Sequence, residues 1–310
     1  MAVVFLTAPV QLSPTYDGTY VDVDVSANVP SGATGIILEL FNNTIFENNS
    51  VSIRNNGSTD DLPTGTRERS HTWFFVGVDS NRVFETKVTL LSTIKFWLYG
   101  YFNSESVFLT NSVDSGITSD FTWTDVNISA TTGADTATAA IGYFNQTGTS
   151  GGLWGVRKNG STDTMGENAK AGGGFIIGCD GSEIFEGYTA DDTTRKIKIV
   201  GYMTAGVTAD TNATDVSLGS TGSYIDLAAL PSGALGGIYY TSPNGSNSFN
   251  WRKNGDSTDR YQRANNNSTF GVVECDASQL VEGKIVNTAV DFFQIGYFQA
   301  TGRRRTSLIC

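Results

Sequence analysis

The sequence predicts an all-β protein built from three tandem antiparallel β-sandwich or jelly-roll-like domains of about 100 residues each. A string of nine or ten residues occurs three times, and the segments around it alternate apolar with polar residues at a period of two. No segment shows a helical period over three turns. The copies of the string are residues 52–60 (SIRNNGSTD), 155–163 (GVRKNGSTD) and 250–259 (NWRKNGDSTD).

Each repeat begins with predicted strands. Residues 4–7 (VFLT) of repeat one match residues 107–110 (VFLT) of repeat two, and the match continues without gaps as far as the string. Repeat three joins the pattern at residues 224–227 (YIDL), which match residues 20–23 (YVDV) and 123–126 (WTDV). Aromatic or β-branched residues alternate with polar residues in these segments, as they do in strands.

A turn and a second strand precede the recurring string. Proline and glycine in residues 30–35 and 231–237 punctuate the turns. The short apolar run at residues 36–41 (IILELF) suggests a strand that is buried on both faces. Within the string, Asn-Gly favours a type I′ turn, so the residues before and after it are expected to pair as an antiparallel hairpin.

A second hairpin and a closing strand complete each repeat. Two apolar runs flank an Asp and a few polar residues, and the closing strand contains Gly-Tyr followed by an apolar residue. The hairpins cover residues 73–88, 175–188 and 270–285, and the closing strands cover residues 98–102, 199–203 and 294–298. The predicted domains are residues 1–105, 106–205 and 206–302, followed by a basic C-terminal tail at residues 303–310.

Composition argues against several classes of function. The net charge of −11, from 20 Lys+Arg and 31 Asp+Glu, disfavours nucleic acid as a partner, because phosphate binding needs a basic surface. No run approaches the roughly 18 apolar residues of a membrane span, and Met1 is not followed by the basic residues of a signal peptide. We therefore expect no nucleic-acid partner and no membrane partner.

The three cysteines predict no disulfide framework, because they are few and odd in number. Cys179 and Cys275 stand where repeat one has Val78, so we interpret them as small buried hydrophobes on strands. Cys310, the last residue, indicates no role. This pattern fits assembly in a reducing cytosol.

Residues suited to catalysis or to metal binding are few. The single histidine, His71, is interpreted as a surface or edge residue rather than as a catalytic base. The chain lacks the Cys and His ligands of a zinc site and has no Walker-type phosphate loop. We expect no catalytic residues, no metal and no cofactor.

Carboxylates recur in pairs, six residues apart, in all three repeats. The pairs are Asp79 with Glu85, Asp180 with Glu186, and Asp276 with Glu282. An Asp followed by small polar residues is typical of a turn, and this interpretation is favoured. A calcium site and an acid pair for glycoside hydrolysis are the alternatives.

Basic residues recur inside the string as Arg54, Arg157-Lys158 and Arg252-Lys253. Pairing with the recurring Glu or Asp of the same repeat is favoured over binding to an acidic partner. The dense cluster Arg303, Arg304 and Arg305 lies outside the repeat. It is a candidate docking point for a negatively charged neighbour, or else a solvated tail.

Three motifs together carry a resemblance to a known group of proteins. Val-Arg-Lys-Asn-Gly-Ser-Thr-Asp at residues 156–163, Val-Gly-Val-Asp at residues 76–79 followed by Phe84-Glu85, and the closing Gly-Tyr-Phe at residues 100–102 recur across the chain in whole or in part. The chain resembles the tandem β-sandwich modules of tailed-bacteriophage virion proteins. The resemblance implies a capsid decoration, a head fibre or a tail-associated protein, and it implies no catalytic residues.

The predicted function is therefore that of a non-enzymatic structural protein of a tailed-phage particle. We expect a homo-oligomer, most simply a trimer, that contacts other virion proteins and is assembled in the host cytoplasm before it resides in the virion. The alternative is a receptor- or glycan-binding adhesin, in which Trp154 and Trp251 stack on sugars of a host surface, although both also fit core strand positions. A glycosidase using Asp180 and Glu186 is the third possibility.

Overall fold

Antiparallel strands make up nearly all the regular structure of the chain. The computed structural model describes residues 1–14, 18–42, 49–66, 70–88, 94–118, 121–146, 153–164, 172–190, 195–219, 221–243, 246–257, 262–265 and 268–300. Repeat one contains β1 (Val3–Leu12), β2 (Val21–Asp24), β3 (Gly35–Asn42), β4 (Asn49–Asn55), β5 (Thr64–Thr66), β6 (His71–Gly77), β7 (Val83–Val88) and β8 (Ile94–Phe102).

Repeats two and three follow the same order of elements. Repeat two contains β9 (Ser106–Asp114), β10 (Thr124–Asn127), the short helix α1 (Ser129–Thr132), β11 (Ala139–Gln146), β12 (Trp154–Lys158), β13 (Gly173–Gly178), β14 (Ile184–Thr189) and β15 (Arg195–Met203). Repeat three contains β16 (Val207–Asp215), β17 (Ile225–Asp226), β18 (Ala234–Pro243), β19 (Ser246–Lys253), β20 (Gln262–Asn265), β21 (Thr269–Glu274), β22 (Val281–Ile285) and β23 (Val290–Gln299). Within the described ranges, no helix is long and apolar enough to cross a membrane.

The strands form six small sheets, two from each repeat. The first sheet of each repeat has the strand orders β1-β8-β3-β6, β9-β15-β11-β13 and β16-β23-β18-β21. The second sheet has the orders β2-β7-β4-β5, β10-β14-β12 and β17-β22-β19-β20. Neighbouring strands are therefore distant in sequence, and the chain passes back and forth between the two sheets of a repeat.

The all-β class is confirmed, but the prediction of three tandem β-sandwich or jelly-roll-like domains is wrong. The structure is instead a six-bladed, propeller-like set of small sheets, although the strands of each four-stranded blade do not follow chain order. The period-two pattern finds strands well but does not show which strands share a sheet. The predicted boundaries after residues 105 and 205 stay predictions, and the tail at residues 303–310 lies outside the described residues.

Buried apolar residues connect the repeats. One cluster is centred between the two sheets of repeat one, and another lies in repeat three. The largest cluster joins residues of all three repeats, including Ile37, Phe75, Phe175, Ile238 and Phe270. This follows from strands with two apolar faces: in β3, Ile36 and Leu38 face the core of repeat one, whereas Ile37 faces the shared cluster. The predicted burial of both faces of residues 36–41 is confirmed for residues 36–40.

The first strand of each repeat packs on another repeat at positions that are glycine. A Cβ at Gly77 would lie 2.6 Å from Cβ of Phe108, and a Cβ at Gly178 would lie 2.1 Å from Cβ of Ala209. A Cβ at Gly236 would lie 2.8 Å from the Phe5 ring. Repeat two thus packs on repeat one, repeat three on repeat two, and repeat one on repeat three. The three repeats close on one another, and β6, β13 and β21 contact each other at the centre.

We predict that Gly178→Val destabilises the protein by about 1–3 kcal/mol, because the added side chain overlaps Ala209 of the neighbouring repeat. Urea unfolding followed by tryptophan fluorescence measures the change. Gly65→Ala is the matched control, since a Cβ at Gly65 meets no atom within 4 Å, and we expect it to stay within about 0.5 kcal/mol of the parent. Equal effects of the two substitutions would contradict close packing at this contact.

Candidate functional site

The recurring string ends one strand and makes a tight turn in each repeat. The N–H of Ser58, Ser161 and Asp256 donates to the carbonyl oxygen three residues earlier, at 3.1 Å in each case. The glycine of each turn has a positive φ of 77–80°, whereas the Asn before it has not. A single positive φ, at the third turn residue, is typical of a type II turn, so the predicted type I′ turn is wrong.

The strands around the string pair across a longer connection than predicted. In repeat one β4 pairs with β5, and in repeat three β19 pairs with β20. The hairpin is therefore confirmed in these two repeats, but with six or more residues between the strands instead of two. The extra residues matter because the Ser, Thr and Asp that follow the turn contact the next repeat.

The arginine of the string is held inside its own repeat. Arg54 Nε donates to Glu85 Oε2 at 2.9 Å, its Nη2 donates to Glu85 Oε1 at 3.2 Å, and its Nη1 donates to the Asp60 carbonyl at 2.8 Å. The guanidinium lies 3.5 Å from the centre of the Tyr20 ring. The other two repeats place Arg157 against Glu186 at 2.8 Å and over Trp123, and Arg252 against Glu282 at 2.7 Å and over Tyr224. The predicted pairing within each repeat is confirmed.

The small polar residues of the string bind the first strand of the next repeat. Asn111 Oδ1 accepts from Ser58 Oγ at 2.9 Å and from the Thr59 N–H at 2.8 Å. Asp60 Oδ2 in turn accepts from the Ser112 N–H at 2.6 Å. We call this set of bonds the polar lock. Sequence reasoning missed it, although an Asn occurs at matching places in the first strands of repeats two and three.

The second polar lock repeats the first one. Asn212 Oδ1 accepts from Ser161 Oγ at 3.0 Å and from the Thr162 N–H at 2.9 Å. Asp163 Oδ2 accepts from the Ala213 N–H at 2.7 Å. The same donors and acceptors therefore join repeat one to repeat two and repeat two to repeat three. The string is the contact by which each repeat holds its successor.

The recurring aspartates hold turns. Oδ1 of Asp79, Asp180 and Asp276 accepts the N–H groups two and four residues on, and Oδ2 accepts the amide of Asn56, Asn159 and Asn254, respectively. The glutamate six residues on binds the arginine instead. The two carboxylates of each pair thus serve different contacts, which confirms the turn interpretation. In the described part of the chain, no group of three or more His, Cys, Asp or Glu side chains could hold a metal ion.

Hydrogen bonds to the turn lower the pKa of these aspartates. For Asp180 the bond from the Ile184 N–H is the largest cause, and the bonds from Asn159 and Ser182 add to it against the opposing effect of desolvation. A carboxylate whose folded pKa lies below its unfolded value of about 3.9 stabilises the fold above that pH. This contribution is lost as the pH falls through the folded pKa.

His71 is buried, so its interpretation as a surface residue is wrong, whereas its place on the edge strand β6 agrees with the prediction. It is 3% exposed, and its Nδ1 contacts Glu39 Oε1. Glu39 Oε2 accepts from the Tyr99 hydroxyl at 2.5 Å, and the His71 ring stacks on Phe41 at 4.4 Å between centroids. A histidine next to a carboxylate inside a sheet explains the residue without any surface role.

The two cysteines are buried as predicted, each directly after a strand. Burial raises the pKa of Cys179 to about 12 and that of Cys275 to about 11. Because the thiolate is the reactive form, both thiols are inert at neutral pH. Val78 is also buried at the matching position of repeat one, which supports their interpretation as small hydrophobes.

The residues predicted to contact partners are dispersed. Trp154 is 4% exposed and stacks between Phe144, at 3.3 Å, and Phe270, at 5.9 Å, in the shared core. Trp251 is also 4% exposed, but it lines a cavity of about 240 Å³ where repeat three meets repeat one. Arg303, Arg304 and Arg305 lie outside the described residues. Only Trp251 therefore borders a space that a ligand fits.

Comparison with known proteins identifies no family. No family description matches the chain, and no curated protein matches it. A chain from the atomic structure of Sulfolobus turreted icosahedral virus is similar over 97% of this chain and 92% of its own length, with 10% identity and a TM-score of 0.26. The crystal structure of the STIV MCP is similar over 99% of both chains, with 8% identity and a TM-score of 0.25. TM-scores of this size do not establish a common fold.

We predict that Arg157 and Glu186 are energetically coupled by about 1–3 kcal/mol, because each truncation leaves the other charge with an unpaired, partly buried hydrogen-bonding group. A double-mutant cycle with Arg157→Met and Glu186→Leu, measured by urea unfolding, gives the coupling. The pair Lys87 and Asp61 is the control, since Asp61 is 56% exposed and such pairs couple by at most about 1 kcal/mol. Coupling no larger than that of the control would show that the Arg–Glu contact does not hold the string.

We predict that Asp180→Asn lowers stability by about 0.5–1.5 kcal/mol at pH 7, because the carboxylate accepts three hydrogen bonds there. The difference between parent and variant should shrink as the pH falls below about 4, since the parent then loses its charged carboxylate. Unfolding at several pH values measures this, and a difference that is independent of pH would contradict it.

Proposed function

We propose that the chain is a non-enzymatic structural component of a virus particle, most specifically a capsid-surface decoration, a fibre or a tail-associated protein of a tailed phage. The observation that carries the proposal is the use of the recurring polar residues. Arg54, Asp60, Asp79 and Glu85, with their partners in the other repeats, form bonds that hold strands, turns and neighbouring repeats together. Residues that recur for mechanical reasons support a mechanical function.

The closure of the three repeats supports the same proposal. One polypeptide places three related modules against each other, so part of its surface is repeated three times. Such a surface suits attachment at a site of threefold symmetry, where equivalent contacts recur. The resemblance of the string and of the closing Gly-Tyr-Phe to tailed-phage modules adds the specific location, and the buried thiols agree with assembly in a reducing host cytoplasm.

The homotrimer and the contacts with other virion proteins belong to this proposal. A trimer of the chain would weigh three times 33.1 kDa. The basic cluster at Arg303, Arg304 and Arg305 is the segment we assign to a negatively charged virion neighbour, because the rest of the chain has an excess of acidic residues.

A glycan-binding adhesin is the second candidate. Trp154 gives it no support, because the ring is enclosed by Phe144 and Phe270. Trp251 does support it, because this ring borders the cavity between repeats three and one.

We predict that the protein is found on purified virus particles from its natural source. Antibodies raised against the recombinant chain and carried on gold should label intact particles at regular positions in negative stain, and recombinant chain with a gold label at Cys310 should bind particles stripped of the native protein. Particles without label, together with native protein found only in the soluble fraction, would exclude the proposal.

A matched control tests the attachment. Removing Arg303, Arg304 and Arg305 should weaken rebinding to stripped particles at least tenfold, whereas Lys196→Ala and Lys198→Ala together remove charge elsewhere and should not. Light scattering of the free chain gives its mass, and a value of three times 33.1 kDa is expected for the trimer. A mass of 33.1 kDa would reject the trimer while leaving the virion location open to the labelling result.

A further inference from the structure

The contact between repeats three and one lacks the residues that close the other two contacts. We call it the third seam. The lock residues Asn111 and Ser112 correspond to Ala8 and Pro9 in repeat one. Alanine has no side-chain acceptor and proline has no N–H, so this strand cannot form the polar lock. Glu274 of β21 stands where the other repeats have a glycine packed against their neighbour.

Glu274 changes the packing as well as the charge. At the other seams the glycine lets the first strand approach closely, as Gly178 does with Ala209. At the third seam, Lys253 Nζ lies 2.8 Å from Glu274 Oε1, so a charged pair occupies the edge of the contact. A cavity of about 240 Å³ remains between the strands, and its lining includes Phe5, Leu6, Trp73, Tyr99, Trp251 and Lys253.

An exchange of large and small residues forms the wall of this cavity. Repeats one and two place a phenylalanine on the edge strand and an aliphatic residue before the arginine, as in Phe74 with Ile53. Repeat three has the reverse order, Gly271 with Trp251. A Cβ at Gly271 would lie 2.3 Å from the Trp251 ring and 2.7 Å from Trp73 Nε1, so the two indoles meet over this glycine.

The two indoles carry donors without acceptors. Trp73 is 1% exposed and Trp251 is 4% exposed, and neither Nε1 has a hydrogen-bond partner among the described residues. A buried N–H without an acceptor is costly, and native proteins seldom retain one. Two such groups beside one cavity indicate a ligand that brings oxygen acceptors.

We propose that the cavity at the third seam binds one neutral sugar residue. A pyranose ring has an apolar face that stacks on indole, and its ring and hydroxyl oxygens accept from indole N–H groups. Its hydroxyls also donate to a carboxylate, which Glu274 supplies at the edge. The cavity is smaller than the roughly 300–1,000 Å³ of a site for a drug-sized ligand, which fits a single ring.

Charge argues against the other ligands that aromatic residues attract. A quaternary ammonium group would meet Lys253 and Arg252 as well as the positive edges of two indole N–H groups. A phosphate or carboxylate would meet Glu274 and Asp256. Since both signs line the cavity and the cations are already paired with glutamates, an uncharged ligand with many hydroxyls satisfies the most groups.

The proposal does not depend on a virion location, because it rests on the third seam alone. The test uses the full chain and a panel of free monosaccharides that includes glucose, galactose, mannose, N-acetylglucosamine and N-acetylgalactosamine. Calorimetric titration and saturation-transfer NMR measure binding. At least one sugar is expected to bind with a Kd of about 1 mM, in keeping with the affinity of ligands with so few atoms.

Thr7→Trp fills the cavity and should weaken that binding at least tenfold. The matched control is Thr110→Trp, which makes the same change at the corresponding position of repeat two and should leave binding within about twofold. The double variant Trp251→Ile with Gly271→Phe restores the arrangement of repeat one and should also abolish binding. Circular dichroism confirms that each variant is folded, and the exposed position of Thr7 keeps this arm of the test independent of the core.

Each remaining outcome is decisive. No binding by any sugar at about fiftyfold above the expected Kd overturns the proposal, and so does binding that Thr7→Trp leaves unchanged. Binding of choline in place of the sugars overturns it in favour of a cation site. If a sugar binds, an array that carries it as the terminal residue of glycans shows whether the source is a surface glycan or the free sugar.

Discussion

The packing of each first strand on glycine positions of another repeat is the contact on which the rest of the structure depends. A Cβ at Gly77 or Gly178 would lie closer to its neighbour than real Cβ atoms do, so these positions admit no side chain without a shift of the strand. Because the strands approach this closely, Ile37 and Phe75 of repeat one reach the same buried cluster as Phe270 of repeat three. The shared core is thus a consequence of three small contacts at its edge.

The recurring string adds direction to this contact. Apolar packing alone fixes a strand poorly along its length, whereas hydrogen bonds to particular backbone groups fix its register. Ser58, Thr59 and Asp60 supply such bonds to Asn111 and Ser112. They reach across because Arg54 holds the segment from inside, by its bond to the Asp60 carbonyl. The Arg–Glu pair therefore acts on the seam through the shape of the loop.

The sequence predicts those features that depend on near neighbours in the chain. The strands, the turn aspartates and the Arg–Glu pairing follow from period-two alternation, from Asp before small residues and from the recurrence of both partners. The sheet layout does not follow, because β1 pairs with β8 and β2 with β7, and no local pattern encodes partners that far apart. The string is a similar case: Asn-Gly suggests a tight hairpin, but the loop is longer because its residues serve a strand about 50 positions away.

The third seam was readable in the sequence only after the structure showed which positions meet. Ala8, Pro9 and Glu274 are unremarkable alone, but each stands where the other repeats have a residue that closes a contact. Closure of three repeats requires all three seams to form, yet only two of them need the polar lock if apolar packing of Phe5 on Gly236 holds the last. The third seam was thereby released from its structural constraint. A position freed in one copy of a repeat, while its counterparts keep their structural residues, is where a repeated fold acquires a site that occurs once.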